Sequence, residues 1–275
     1  MKKIPCSVGI LTYNSEANLR RALDSISDFS DIIISDGGST DATLEIAKAY
    51  GCKIIDQYTK YHPGPDQYHP VEDFSRERNR LIDTANEDWF LWIDSDEYIT
   101  EELREEIIEV CTKVIPEHFA YELPIALQSP DASVTYKRKH PVHQIRFFNL
   151  QSGGRFERKM HERYVFDREQ YSVGRLQGAW CVPISKPDFV SYSRAVRYRL
   201  RVMFEVNPPQ DLVTYLKKGI FLPLKRSLGV VFRYVTSRID LNNRPAIPIF
   251  YYRNKLYSEW VSFQILTEMY LERSK

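Results

Sequence analysis

Residues 87–98, "EDWFLWIDSDEY", run from an aromatic, apolar segment straight into Asp94, Ser95, Asp96 and Glu97. Three carboxylates within four positions repel one another, and a buried strand needs no such ending, so the pattern asks for a cation. Two carboxylates one residue apart, just past a strand, can hold Mg²⁺ or Mn²⁺ through one or two oxygens while a diphosphate completes the shell. Such an ion neutralises charge on a departing phosphate. A strand-to-helix turn with Asp caps would look the same in isolation, so the neighbouring elements have to discriminate.

Upstream, strand and helix signals alternate. "CSVGILTY" (6–13) reads as a buried strand, followed by a helix with Asn14 or Ser15 as N-cap and Leu19, Ala22, Leu23 and Ile26 at helical spacing. "DIIISD" (31–36) is the continuous apolar run of a parallel strand covered on both faces, and Thr40 is expected to cap a helix over 41–50 that stops at Gly51. "CKIID" (52–56) gives a third strand, and Phe74, Leu81, Ile82 and Ala85 mark a helix before "DWFLWID". This βαβα order implies a parallel sheet whose ligands gather at the carboxyl ends of the strands. Thr12, Tyr13 and Asn14, then Asp36, then Asp94 and Asp96 all fall at those ends. In "SDGGSTDAT" (35–43) the glycines permit close backbone approach, and Asp36 can accept from a base N–H or a ribose hydroxyl. Neither GxGxxG nor GxxxxGK[ST] is present, which removes the dinucleotide and P-loop readings.

Downstream, "EELREEIIEVC" after Thr100 reads as an amphipathic helix, and "AYELPIALQ", "SVTYKRK" and "HQIRFFNLQ" as strands of a more antiparallel part with a turn at Gly153 and Gly154. The Pro-, His- and Tyr-rich stretch 60–73 reads as a loop near the same sheet edge. Charge divides the chain: residues 1–185 hold 22 Lys plus Arg against 30 Asp plus Glu, and residues 186–275 hold 16 against 7. Within the basic part, "YLKKGIFLPLKRSLGVVFRYVTSR" (215–238) mixes apolar residues with Lys and Arg in the manner of helices that lie on anionic membranes. The bland alternative packs these helices on the first domain and turns their charges to water. Four scattered cysteines without a CxxC suggest neither zinc nor disulfides, and no apolar run reaches the ~20 residues of a membrane span. With no signal-peptide pattern, the expected location is the cytoplasm, peripheral at the inner face of the membrane.

"GILTYNSEANLRRALDSI", "DIIISDGGSTDATLEIA", "FSRERNRLI" and "DWFLWIDSDE", in this order, resemble the family 2 glycosyltransferases of GT-A fold. With the later "RFERKMHE", the set is similar to the branch containing lipopolysaccharide-core β-glucosyltransferases. The resemblance covers about residues 4–165. It implies an α/β, Rossmann-like nucleotide-diphospho-sugar transferase with a mixed sheet flanked by helices, here in 1–185, followed by a basic helical extension in 186–275.

The resemblance also implies roles. Thr12, Tyr13, Asn14 and Glu16 would line the nucleotide pocket, Asp36 would read the base, and Ser39 and Asp41 would support that loop. Arg78 and Asn79 would reach the donor phosphate or ribose; Asp94, with Ser95, would face the ribose or sugar; Asp96, aided by Asp94, would hold Mg²⁺ or Mn²⁺. Glu162 in "MHERY" is the candidate base, Glu157 and Asp167 remaining alternatives, and His161 and Arg146 are further candidates near acceptor, metal or diphosphate. Asp94-Ser95-Asp96-Glu97 stands where relatives often carry Asp-Ala-Asp-Glu, and QxxRW is lacking, which favours addition of one sugar over polymerisation. The function expected is inverting, metal-dependent transfer from a nucleotide-diphosphate sugar, UDP-sugar favoured, to a lipopolysaccharide, lipid-linked or other cell-surface glycan acceptor, with no nucleic-acid partner. Transfer to polyprenyl phosphate and a non-catalytic sugar-nucleotide-binding role are the alternatives.

Overall fold

The structure, a computed structural model, describes residues 3–57, 73–136, 142–159, 162–205, 208–239 and 245–273, without the side chains of Val202 and Ile239. It divides into two compact units, Met1–Ala126 with Pro141–Pro183, and Leu127–His140 with Ile184–Lys275.

The first unit is built on a mixed sheet. Its parallel half is β3 (Lys53–Asp56), β2 (Phe29–Asp36), β1 (Ile4–Thr12) and β4 (Trp89–Asp94), in that spatial order. Strand β1 is the centre of this half, and from Cys6 to Thr12 every residue is buried, which is why its sequence shows no polar alternation. Gly9 is required here, because a Cβ would lie 2.5 Å from Phe90 Cζ. Successive residues feed opposite layers. Val8, Ile10, Ile34 and Ile93 pack under α1 (Glu16–Asp24), α2 (Thr43–Ala49) and α4 (Glu101–Thr112), whereas Leu11, Ile33 and Phe90 meet Leu81 and Ile82 of α3 (Phe74–Thr84).

At β4 the direction reverses. β7 (His143–Asn149) pairs antiparallel with β4, and β6 (Ala120–Gln128) antiparallel with β7; the path continues to β11 (Trp180–Pro183) and β5 (Tyr98–Ile99), with β10 (Val173–Arg175) beside β6. A separate hairpin of β8 (Arg155–Glu157) and β9 (Arg163–Val165) covers the seam, Tyr164 stacking on Phe148 at 3.6 Å. Gly153, at φ 65°, makes the turn before β8.

Two local expectations change. Helix α2 begins at Thr43, not 41, and Thr40 is not its cap: Asp41 Oδ1 accepts from Thr43 N at 3.0 Å while Thr40 N donates to Asn14 Oδ1 at 2.8 Å. Of the strand expected over 133–139, residues 133–136 form only an isolated bridge, Thr135 to Gln128, because Asp131 ties Ser129 and Ser133 into a tight loop; 137–139 lie outside the described residues.

The second unit is helical: α5 (Phe189–Glu205), α6 (Leu212–Tyr215), a π-helical turn over Leu216–Phe221, α7 (Leu222–Ile239) and α8 (Ile249–Arg273). Pro223 has no N–H to donate to the preceding turn, and the chain widens into the π turn just before it. Val196 of α5 packs with Val261 and Ile265 of α8, and α7 lies on α8 through Tyr234 and Tyr252, whose rings are 5.3 Å apart.

Candidate active site

Register brings the acidic strand ends to one edge. Asp36 pairs with Thr12 and Asp94 with Leu11, so β2 and β4 carry their last carboxylates to the same level on either side of β1. Two interstrand spacings separate those backbones by roughly 10 Å.

On the β2 side a neutral hydrogen-bond net closes around Asp36, which is 3% exposed. Its Oδ1 accepts from Thr12 Oγ1 at 2.8 Å and Ser39 Oγ at 2.6 Å, and its Oδ2 from Gly38 N at 2.8 Å and Ser39 N at 2.7 Å. Four bonds fill the ordinary capacity of a carboxylate, so Asp36 shapes the loop and must give up a bond to read a base. Asn14, at φ 45°, donates its N–H to Ser39 Oγ at 2.9 Å. Glu16 and Asp41 cap each other's helices: Glu16 Oε2 accepts from Ala42 N at 2.9 Å and Asp41 Oδ2 from Glu16 N at 3.1 Å. The expected residues Thr12, Asn14, Glu16, Asp36, Ser39 and Asp41 are therefore one assembly, with Tyr13 half-buried beside it.

On the β4 side the partners are ionic and distant in sequence. Arg78, 2% exposed, bonds Asp94 through Nη2 and reaches Glu162 Oε1 through Nε at 3.2 Å. Arg146, 5% exposed, bonds Glu97 at 2.8 and 3.3 Å and lies 4.0 Å from Asp94. The guanidinium of Arg146 sits between two indoles, 3.5 Å from the Trp92 ring centroid and 3.8 Å from that of Trp180, and Arg78 covers Trp92 at 4.0 Å. Two cations are thus buried against aromatic faces, which a flat, weakly hydrated guanidinium tolerates better than an ammonium. Arg78 Nη1 and Arg146 Nε have no hydrogen-bond partner among the described residues, which leaves donor capacity at the site.

These charges set the carboxyl groups apart. Burial works to raise Asp94, but Arg78 and Arg146 outweigh it and hold its carboxyl below the ordinary value. Burial, then the charge on Asp94, pushes Glu97 up to about 7 against the pull of Arg146. Desolvation and Asp94 also raise Asp96. Ser95 accepts from Ser15 Oγ at 2.9 Å, so the serine that departs from the common Asp-Ala-Asp-Glu pattern ties this turn to the β1–α1 loop.

Asp96 is exposed and Asp94 is half-exposed at the edge, whereas among the described residues no three His, Cys, Asp or Glu side chains cluster as a cage. One or two carboxylates that leave the remaining positions to water and phosphate oxygens suit Mg²⁺ or Mn²⁺. A cavity of about 680 Å³ opens beside Asp94, lined also by Trp92, His143, Arg146, Glu162 and Arg168 among others. Glu162 therefore sits on the same cavity as Asp94. Asn79 does not point there. Its amide donates to Phe156 O at 2.9 Å and accepts from Phe156 N at 2.8 Å, matching the two polar groups of a strand residue and pinning α3 to β8. Likewise Arg78, expected at the donor, is a buried bridge between two carboxylates. His161 and residues 60–72 lie outside the described residues.

Sequence reasoning missed Trp92 and Trp180 as parts of the site, the pairing of Glu97 with Arg146, and Gln57, which is buried and donates to the Ser35 carbonyl at 2.8 Å. Arg146 inside the apolar run "IRFF" carried the one available signal, since an arginine in a buried strand requires partners.

A sheet that turns from parallel to antiparallel, with carboxylates at the edge where it turns, has the arrangement of the GT-A fold. Residues 7–122 match the model described as glycosyl transferase family 2, and over this stretch the chain is similar to that family. The SPbeta prophage-derived glycosyltransferase SunS of Bacillus subtilis (strain 168) is 30% identical over 159 residues, 56% of this chain and 33% of SunS. The lipopolysaccharide core biosynthesis glycosyltransferase LpsC of Rhizobium meliloti (strain 1021) is 30% identical over 108 residues, 39% of this chain and 37% of LpsC. The chain thus spans about a third of either relative. The mannosyltransferase PcManGT from Pyrobaculum calidifontis, solved with GDP-Man and Mn²⁺, shares the fold at 10% identity and a TM-score of 0.50, over 98% of this chain and 88% of PcManGT.

Proposed function

We propose that this chain is an inverting, metal-dependent glycosyltransferase that moves one sugar from a nucleotide-diphosphate sugar, UDP-sugar favoured, to a hydroxyl of a lipopolysaccharide-type or lipid-linked glycan at an anionic membrane surface. The observation that carries it is Glu162 on the wall of the cavity beside Asp94, with Arg78 joining the two. Glu162 Oε1 is engaged by Arg78, which leaves Oε2 to take the acceptor proton. As that proton leaves, the acceptor oxygen attacks the anomeric carbon, the carbon–oxygen bond to the diphosphate breaks, and its electron pair departs with the nucleotide. Attack from the face opposite the leaving group inverts the anomeric centre. Asp96, with Asp94, would hold Mg²⁺ or Mn²⁺, which neutralises the departing diphosphate. Arg146 and Arg78 keep Asp94 ionised, and the Asp36 loop forms the nucleotide side.

The test is a screen of UDP-, GDP- and dTDP-sugars for Mn²⁺-dependent donor hydrolysis, then transfer. Glu162→Gln should lower transfer to a hydroxyl acceptor about 10²–10⁴-fold while UDP binding by calorimetry is retained. Full transfer by Glu162→Gln would remove it as base and favour an acceptor that is already an anion, such as polyprenyl phosphate; activity untouched by chelators would overturn the metal dependence.

A further inference from the structure

The helical run 212–239 carries six Lys or Arg and neither Asp nor Glu. Its inner face is occupied within its own unit: Val230 is 3% exposed, Tyr215 stacks on Tyr270 at 4.6 Å, and Arg226 reaches Glu259 of α8 at 3.9 Å. The outer face is apolar. Phe221, Leu224, Leu228, Val231, Phe232 and Val235 recur at spacings of three and four, and each is between 46% and 66% exposed. Soluble surfaces do not ordinarily leave a continuous apolar stripe of four turns in water. Exposed Lys225 and Arg238 follow the stripe near its two ends, with Lys217 and Arg233 also exposed.

We infer that this outer face of α7 is the surface by which the chain docks on an anionic lipid bilayer, its apolar side chains entering the headgroup boundary and its Lys and Arg meeting lipid phosphates. The inference rests on the membrane-surface reading proposed above and assigns that contact to particular residues. Charge decides the occupant. A second copy laid against the stripe would bring Lys225 and Arg238 against equal charges, with no acidic residue anywhere in 212–239 to pair them, whereas an anionic bilayer supplies the missing sign along the whole helix. Among the described residues no helix is long and apolar enough to cross a membrane, so α7 would lie in the interface plane.

Flotation of the full chain with vesicles tests this. Vesicles of phosphatidylcholine containing about one-third phosphatidylglycerol should carry the protein upward, pure phosphatidylcholine vesicles much less, and added salt should weaken the association. Leu228→Asp with Phe232→Asp should lower partitioning by about tenfold or more, with donor hydrolysis in vesicle-free buffer unchanged. If the Asp pair disturbs folding by circular dichroism, Leu228→Ser with Phe232→Ser carries the same comparison. No binding by the unaltered chain would defeat the membrane reading itself. Binding that the variants leave intact would defeat only the assignment to α7. A dimer by sedimentation that the variants dissociate would show that a second copy covers the stripe, and overturn the inference.

Discussion

Asp36 and Asp94 end neighbouring partners of the same central strand, yet they are stabilised in opposite ways. Asp36 is closed by four hydrogen bonds from neutral donors, three from Gly38 and Ser39 of its own loop and one from Thr12 at the adjacent strand end. Asp94 is held by Arg78 from α3 and Arg146 from β7, cations 16 and 52 positions away in sequence, both stacked on Trp92. A carboxylate saturated by its own loop builds a fixed wall. A carboxylate balanced by buried cations and still half-open to water keeps its charge and its access, which suits the side where a metal and a diphosphate would meet.

The largest effect should come from the ionic side. Arg146→Met leaves Glu97 buried without its cation, and removing one member of such a pair costs about 3–5 kcal/mol of stability, measurable by urea unfolding. Adding Glu97→Leu should recover much of that loss, since a buried pair replaced by apolar groups is often close to neutral. Arg146→Lys should recover little, because an ammonium cannot lie flat between Trp92 and Trp180. If lysine restored full stability, the stacking would be incidental to the site.

On the other side Asp36→Ala strands the buried Thr12 hydroxyl and leaves the Gly38 and Ser39 donors to water, and hydrogen bonds to a charged acceptor put the loss at roughly 1.5–3 kcal/mol. The same variant should raise the KM for the donor more than it lowers kcat, because the loop is proposed to touch the nucleotide and not the reacting carbon. Asn79→Ala should follow at about 1–2 kcal/mol, from the two bonds to Phe156, with donor binding unaffected. A large loss of donor affinity in Asn79→Ala would return that residue to the nucleotide side.

What could be read from the sequence follows the same division. The four parallel strands and the helices between them declared themselves through continuous apolar runs such as "DIIISD" and the helical spacing of Leu19, Ala22, Leu23 and Ile26. The Asp36 loop was legible because its partners lie within four residues or in the adjacent strand end. The Arg78–Asp94–Glu162 chain was not, because each bond joins elements whose spacing only the folded sheet fixes, and a helical arginine looks the same whether it meets water or two carboxylates. The bonds of Asn79 are hidden for a related reason: its amide serves a strand edge formed 77 positions later. The start of α2 is set jointly by Asp41, which accepts from Thr43 N, and by Glu16 of the preceding helix, which accepts from Ala42 N and which a local reading does not see.

Ser39→Ala is the smallest change and the sharpest probe of the neutral net. It deletes the 2.6 Å bond to Asp36 and the acceptor for Asn14 N, but leaves the two backbone donors on Asp36 in place. Because Ser39 is only half-buried, water can refill the lost positions, and the cost should stay near 0.5–1.5 kcal/mol, roughly half that of Asp36→Ala. Both variants remove a bond that braces Asn14 in its left-handed conformation, directly or through the loop, so their double mutant should fall short of the sum. Strict additivity would mean that the carboxylate and the hydroxyl act separately, and that the loop beside β1 is not one braced unit.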